Sequence, residues 1–222
     1  MITSNIGKIF LDAYNEEYGT SYDARTFFLE QFYPLFFDQN KYMMTAGNSP
    51  LENPKLSWDD MIKGKKPFET PEQRKIRFEK LIKKIEESEA DASIARGYAS
   101  LDVTATTSGQ VTDLKLPNSQ EEIYTSWIGD ALGIGVQGGF SILFSNKEIL
   151  LDIFEGWKLY RTSLNETTML KGNQINTWNG QWLSHYYDTR EYDADMPLAG
   201  YNPFNVNKDG IISIDTQTWT KI

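Results

Sequence analysis

The chain has 222 residues and a formal net charge of −9, and 40% of its residues are hydrophobic and 14% aromatic. This composition predicts a folded protein with a large aromatic core and argues against a disordered or fibrous class. Because the sequence has no cysteine, disulfides, thiolate catalysis and cysteine-ligated zinc sites are excluded.

Targeting and membrane signals are not visible in the sequence. Residues 1–10 lack the basic and apolar pattern of a signal peptide, and the apolar runs at residues 142–144 and 149–151 are too short to cross a bilayer. We therefore expect a cytoplasmic protein that does not contact a membrane.

Helices are predicted along most of residues 1–97. Ser4 is a candidate N-cap for a first helix that ends at Gly19. A second helix is expected after Ser21 or Asp23, and Pro34 should kink it or end its regular part.

A third helix carries the strongest local signals. Thr70 can cap it, Pro71 suits its first position, and Gln73 can complete a capping box. The helix is expected to continue to about residue 95, with an apolar stripe made by Phe78, Leu81, Ile82 and Ile85.

The remaining residues, 98–222, are predicted to form a smaller mixed part. Alternating β-branched segments at 100–106 and 110–116 predict a β-hairpin. Further helices are expected over 119–132, 147–164 and 174–187, with a buried strand over 139–144 and a closing strand over 211–214. The predicted fold class is therefore α+β, with a helix-rich N-terminal part packed on this smaller part as one compact unit.

Charge is unevenly distributed along the chain. Residues 63–84 contain nine basic and three acidic side chains, a net +6, so the rest of the chain carries −15. If the apolar stripe faces the core, Arg74, Lys80 and Lys84 should point outward, where they could contact phosphates or an acidic protein partner. The predicted nucleic-acid-binding residues are Lys63, Lys65, Lys66, Arg74, Arg77, Lys80 and Lys84.

A second hypothesis is a metal-dependent nuclease. Asp102 lies on the first predicted hairpin strand, and Asp113 and Lys115 share a face of the second. The arrangement resembles the PD-(D/E)xK nuclease pattern, although Leu101 stands where that pattern has proline. The two aspartates would bind Mg²⁺ and the lysine would orient the attacking water. No other cofactor is expected, and the residues leave open whether the chain is an enzyme.

Three further motifs have simpler structural explanations. The glycines of 133–138 match G-x-G-x-x-G but follow a predicted helix, which favours a helix-to-strand turn over a dinucleotide site. The segment 205–216 begins like a calcium loop, yet Thr216 stands where the closing acid is needed, so a turn is expected. His185 is the only histidine, and its aromatic neighbours indicate a structural role.

Two stretches resemble a known family. Residues 9–14, 27–28 and 34–38, together with 126–129 and 133–139, are similar to the large-subunit proteins of type I CRISPR effector complexes, although this chain is shorter and more acidic. The resemblance implies a non-catalytic, nucleic-acid-binding role in prokaryotic antiviral defence. This is our leading hypothesis. The alternatives are the Mg²⁺-dependent nuclease and a protein–protein interaction scaffold that uses an acidic surface and an aromatic face.

Overall fold

Helices dominate the architecture. The computed structural model describes residues 1–52, 58–100, 119–188, 190 and 192–221, and it confirms the helix-rich α+β fold class. The α-helices are α1 (Ile2–Tyr18), α2 (Ala24–Phe27), α3 (Tyr33–Phe36), α4 (Trp58–Ile62), α5 (Pro71–Glu87), α6 (Gln120–Ala131), α7 (Lys147–Glu166) and α8 (Ile175–Tyr186). A π-helical turn (Phe28–Phe32) joins α2 to α3, and a 3₁₀ turn covers Trp219–Lys221.

Capping contacts confirm the predicted starts of the second and third helices and of the helix at 119. The Ser4 cap is wrong, because α1 begins at Ile2 and the Ser4 hydroxyl is buried, donating to the Glu122 carbonyl oxygen at 2.9 Å. The Asp23 carboxylate accepts a hydrogen bond from the Thr26 backbone N–H at 2.6 Å, and full capping boxes open α5 at Thr70 and α6 at Ser119. Gly19 ends α1 in the left-handed conformation, with φ 62°. The prediction that the third helix reaches about residue 95 is wrong, since α5 ends at Glu87 and the backbone is extended at Ser88.

In the described residues, the strands form two antiparallel hairpins. Strand β1 (Ile134–Val136) pairs with β2 (Phe140–Ile142), and β3 (Phe204–Val206) pairs with β4 (Ile212–Ile214). The closing strand is thus confirmed. A buried strand over 139–144 is wrong, because Phe140 and Ser141 of β2 are exposed. The predicted hairpin at 100–116 lies outside the described residues, apart from its first residue.

The central helix pair is α1 and α6, which approach at two glycines. A methyl group on Gly7 would meet the Thr125 carbonyl oxygen at 2.0 Å, and one on Gly129 would meet the Thr3 carbonyl oxygen at 1.9 Å. The absence of side chains at these positions therefore lets the two backbones touch. One hydrophobic core runs through both the N-terminal and C-terminal parts of the chain.

An aromatic column fills the core beside α7. The ring of Phe32 stacks on Phe28 at 5.3 Å and on Phe36 at 4.2 Å, all three fully buried. Tyr33, the next residue, stacks on Phe78 of α5 with ring centroids 3.7 Å apart. A single short segment therefore packs against both the central core and α5.

Helices α7 and α8 are joined through tryptophan hydrogen bonds. The Trp178 indole N–H donates to the Gly156 carbonyl at 2.8 Å, and that of Trp157 donates to Asn179 Oδ1 at 3.2 Å. Buried indoles need such partners, so these bonds fix how the two helices pack. Within the described residues, no helix has both the length and the apolar character needed to span a bilayer.

Candidate nucleic-acid interface

Arg74, predicted to face solvent, is buried. Its side chain is 8% exposed, its Nε lies 3.0 Å from an Asp38 carboxylate oxygen, and its Nη1 donates to the Glu69 carbonyl oxygen at 2.7 Å. The expectation of an outward-pointing Arg74 is wrong because Arg74 precedes Phe78 by four residues and Leu81 by seven, which places it on the core-facing side of α5.

Two more of the predicted phosphate-binding cations have structural contacts. Arg77 Nε pairs with a Glu69 carboxylate oxygen at 2.5 Å, and its Nη1 donates to the Glu52 carbonyl oxygen at 2.7 Å. The Lys84 ammonium donates to the Ser93 hydroxyl and is only partly exposed. These contacts hold the 46–52 loop and the 91–95 turn against α5, so both side chains serve the fold.

The lysines before α5 are more accessible. Lys63 pairs with Asp209 at 3.1 Å and Lys66 with Asp60 at 3.2 Å, while Lys65 is exposed, as is Lys80 on α5 itself. The outer face of α5 also presents acidic side chains among its lysines: Glu72, Glu79, Glu86 and Glu87. The +6 of residues 63–84 therefore does not become a uniformly positive helix face.

The proposed nuclease residues, Asp102, Asp113 and Lys115, lie outside the described residues, so the nuclease remains a prediction. In the described part of the chain, no group of three or more histidine or carboxylate side chains is placed to hold a metal ion.

The three motifs with structural explanations adopt the expected forms. Gly133 links α6 directly to β1, which confirms the helix-to-strand turn. The Asn207 side-chain oxygen accepts hydrogen bonds from the backbone N–H groups of Asp209 and Ile211, each at 2.9 Å, and closes the β3–β4 turn. His185 stacks on Tyr201 with ring centroids 4.5 Å apart.

A pair of buried cations that the sequence did not suggest lies where α7 ends. Lys41 is 8% exposed, and its ammonium donates to the carbonyl oxygens of Leu164 at 3.0 Å and Thr167 at 2.7 Å. Arg161 is 7% exposed; its Nε donates to the Leu35 carbonyl at 2.9 Å and its Nη1 to the Lys41 carbonyl at 2.9 Å. Neither cation forms an ion pair with any described carboxylate, and Arg161 Nη2 has no hydrogen-bond partner there.

This pair brings two buried cationic side chains close together. Burial and the neighbouring Arg161 charge lower the pKa of Lys41 to about 8, and burial lowers the pKa of Arg161 to about 10. Both groups therefore remain cationic at neutral pH. The C-terminal carbonyls of α7 offset about half an elementary charge, so about one and a half positive charges stay uncompensated.

A pocket of about 410 Å³ opens on Lys41. Both charged side chains in its wall are basic, and the others supply amides, a hydroxyl and an aromatic ring. Its lining residues are Gln39, Asn40, Lys41, Phe68, Arg74, Leu164, Asn165 and Thr168. Arg161 lies directly behind this wall, bonded to the Lys41 carbonyl and 3.5 Å from the Asn165 side-chain oxygen. Such a site can take an anion that has an attached ring.

Sequence reasoning missed this site because its parts are far apart in the chain. Lys41 stands alone in a loop, 120 residues from Arg161. The one local signal is that Arg161 follows Trp157 by four residues and precedes Leu164 by three, which puts a cation on the buried face of an amphipathic helix.

A second concave surface lies at the other end of α7. This groove of about 500 Å³ has Phe144, Ile149 and Leu183 in its wall, with Tyr187 54% exposed at its edge. Trp219, in the 3₁₀ turn that contributes Lys221 to the groove, is 69% exposed.

Comparison with protein-family models, with curated proteins and with solved structures finds no significant match for the chain. Function must therefore be inferred from these two surfaces.

Proposed function

We propose that the protein binds single-stranded nucleic acid and holds one of its phosphates in the Lys41 pocket. The observation that carries the proposal is the buried pair Lys41 and Arg161, which has no carboxylate partner among the described residues. Lys41 lines the pocket, whose charged side chains are both basic, and Arg161 lies behind its wall. Buried cations are costly unless an anion accompanies them, and phosphate is the anion that Lys and Arg bind most often in nucleic-acid recognition.

The rest of the pocket suits a nucleotide. Phe68 offers a ring on which a base can stack, and the amides of Gln39, Asn40 and Asn165 offer hydrogen bonds to base or sugar. Stacking requires an unpaired base, which favours a single strand over a duplex. The exposed Lys65 and Lys80 belong to the same basic segment as the pocket residue Arg74 and supply additional contacts for neighbouring phosphates.

This proposal keeps the nucleic-acid hypothesis but changes the residues that carry it. Arg77 and Lys84 have structural partners, and the charge of Arg74 is matched by Asp38, although Arg74 still lines the pocket. Lys41 becomes the main phosphate contact, with the charge of Arg161 behind it. A non-catalytic role in a prokaryotic defence assembly, as the family resemblance implies, is compatible with such a site.

Fluorescence anisotropy with labelled single-stranded DNA and RNA oligonucleotides at low ionic strength tests the proposal. We expect measurable binding that weakens at least tenfold in Lys41→Gln, since a charge-assisted contact to phosphate is lost. Lys8→Gln removes the same charge on α1, outside the pocket, and should bind as the wild type does. Absence of binding to either nucleic acid would contradict the proposal.

A second candidate is a protein–protein interaction through the Tyr187 groove. Its charged lining residues are Asp188, Arg190 and Lys221, a net +1 on a chain of −9, and Phe144, Ile149 and Leu183 form an apolar part of its wall. Exposed aromatic side chains around an apolar groove are typical of protein interaction sites. The occupant that fits is an aliphatic or aromatic side chain within an acidic segment of a partner protein.

Selection of displayed random peptides against the wild type tests this second candidate. We expect enrichment of apolar residues flanked by Asp or Glu, and loss of that enrichment in Leu183→Asp, which places a charge in the groove wall. Enrichment that is the same for both proteins would contradict the groove as the binding site.

A further inference from the structure

The Lys41 pocket holds more positive charge than one backbone phosphate can neutralise. Lys41 in its wall and Arg161 behind that wall bring two charges, of which the end of α7 offsets about one half, whereas the charge of Arg74 is matched by Asp38 at 3.0 Å. A phosphodiester carries one negative charge, and a phosphate monoester carries about 1.5 to 2 at neutral pH. The monoester therefore balances the pair more completely than a diester does.

From this we infer that the pocket is specific for a terminal phosphate, a phosphate monoester at the end of a nucleotide or of a nucleic-acid strand. The inference rests on the proposed function and names the part of the ligand that the site recognises. Lys41, Arg74 and the Asn165 side chain line the wall that the phosphate would meet. Lys41 uses two of its three ammonium protons on the carbonyls of Leu164 and Thr167, which leaves one for the ligand.

The geometry also explains why the chain tolerates these cations without a ligand. The last carbonyls of α7 accept hydrogen bonds from Lys41, and the Leu35 carbonyl accepts one from Arg161. These acceptors satisfy hydrogen bonds but offset only about half of one positive charge. A dianion supplies the missing charge, so its binding should stabilise the fold as well as occupy the pocket.

Asn165→Asp is the most direct variant because it adds a carboxylate without changing the size of the side chain. Asn165 is exposed on α7, so the variant should fold. Its side-chain oxygen lies 3.5 Å from Arg161 Nη1, so the new carboxylate should pair with the cations and compete with a bound anion. Asn5→Asp makes the same change on the exposed part of α1, away from the pocket, and is the matched control.

The experiment compares two single-stranded oligonucleotides of one sequence, labelled at the 3′ end, with either a 5′-phosphate or a 5′-hydroxyl group. Inorganic phosphate is titrated separately while the melting temperature is followed. We expect the phosphorylated strand to bind wild type and Asn5→Asp at least tenfold more tightly, as charge-assisted hydrogen bonds predict. The preference and the thermal shift with phosphate should both disappear in Asn165→Asp.

The outcomes separate this inference from the proposed function. Equal binding of both strands overturns the terminal-phosphate specificity and leaves nucleic-acid binding in place. If neither strand binds while inorganic phosphate raises the melting temperature of the wild type but not of Asn165→Asp, nucleic-acid binding is wrong and the phosphate site stands. A wild type that responds to none of the three probes overturns both.

Discussion

The ion pair of Arg77 with Glu69 shows how single cations of the basic segment serve the fold. The Glu69 side chain is 9% exposed and that of Arg77 25%, so removal of the arginine leaves a carboxylate almost without water. By contrast, Lys75 meets Glu79 only at 3.9 Å, and both side chains are largely exposed. Proximity in the sequence therefore says little about which cations are available to a ligand.

We expect Arg77→Met to lower the free energy of unfolding by about 3 kcal/mol, because breaking one side of a buried ion pair is costly. Lys75→Met should change it by about 0.5 kcal/mol or less, as for most surface pairs. Urea denaturation followed by circular dichroism measures both. Equal effects of the two substitutions would show that Glu69 is solvated after all.

Lys41 makes stability depend on pH in an unusual direction. Its folded-state pKa is about 8, below the ordinary 10.5, so between these values the unfolded chain binds more protons than the folded one. Stability contributed by this group therefore rises with pH across that window and is lowest where the lysine is charged in both states. The tyrosines with raised pKa values, such as Tyr42 and Tyr201, oppose this rise only above about pH 10.

Urea denaturation in phosphate-free buffer should show the difference between wild type and Lys41→Met. From about pH 7.5 to about pH 9.5, the wild type should gain about 1–2 kcal/mol relative to the variant, since each unit of pKa difference corresponds to about 1.4 kcal/mol. A difference that stays constant over this range would mean that Lys41 keeps an ordinary pKa in the folded state.

At the scale of elements, the close approach of α1 and α6 depends on two positions without side chains. Gly129→Ala would place a methyl group 1.9 Å from a backbone oxygen of α1, which cannot move without separating the helices. We expect a loss of about 3 kcal/mol, at the upper end for overpacking. Gly200→Ala is the control, because a methyl group there would have nothing within 4 Å. Its left-handed backbone, φ 71°, should lower the free energy of unfolding by about 1 kcal/mol. A similar cost for both would contradict the packing.

The helix boundaries were predictable from the sequence to the extent that their causes are local. Thr70 with Gln73, and Ser119 with Glu122, form capping boxes whose partners are three residues apart. Gly19 needs only its own backbone freedom. These elements could be located without knowing the rest of the fold.

The candidate site was not predictable because it is made by distant segments. In the sequence alone Arg74 looks like a surface cation, because its partner Asp38 lies 36 residues away. Lys41 meets Arg161 only because the loop after α3 packs on the end of α7. Sequence periodicity assigns a charged residue to a face of its helix but cannot identify a partner across the core. A run of basic residues is therefore a poor guide to a phosphate site when their counter-ions lie elsewhere in the chain.

For the whole molecule, the distribution of charge limits how nucleic acid can bind. The chain carries −9, and most cations of residues 63–84 have acidic or carbonyl partners. Among the described residues of the pocket and the basic segment, Lys41, Lys65 and Lys80 are the cations proposed for phosphates, three contacts in total. The observed affinity should then fall with salt at a logarithmic slope of about −2, given about −0.7 per phosphate on a single strand. A slope of about −5 or steeper would require a much larger basic surface than the described residues provide.

The π-helical turn at Phe28–Phe32 makes the core sensitive to chain length as well as to side-chain identity. Residues four apart in an α-helix are separated by about 40° more than one full turn. In the wider π turn, residues four apart are separated by less than one full turn. The overshoot and the shortfall offset each other along Phe28, Phe32 and Phe36, which is consistent with the stacking of Phe32 on both of the other rings. Removing the exposed Glu30 would restore a regular helix and rotate everything after it out of phase, so its deletion should lower the melting temperature far more than Glu30→Ala. At this turn the packing of the core therefore depends on the number of residues in the segment as well as on their side chains.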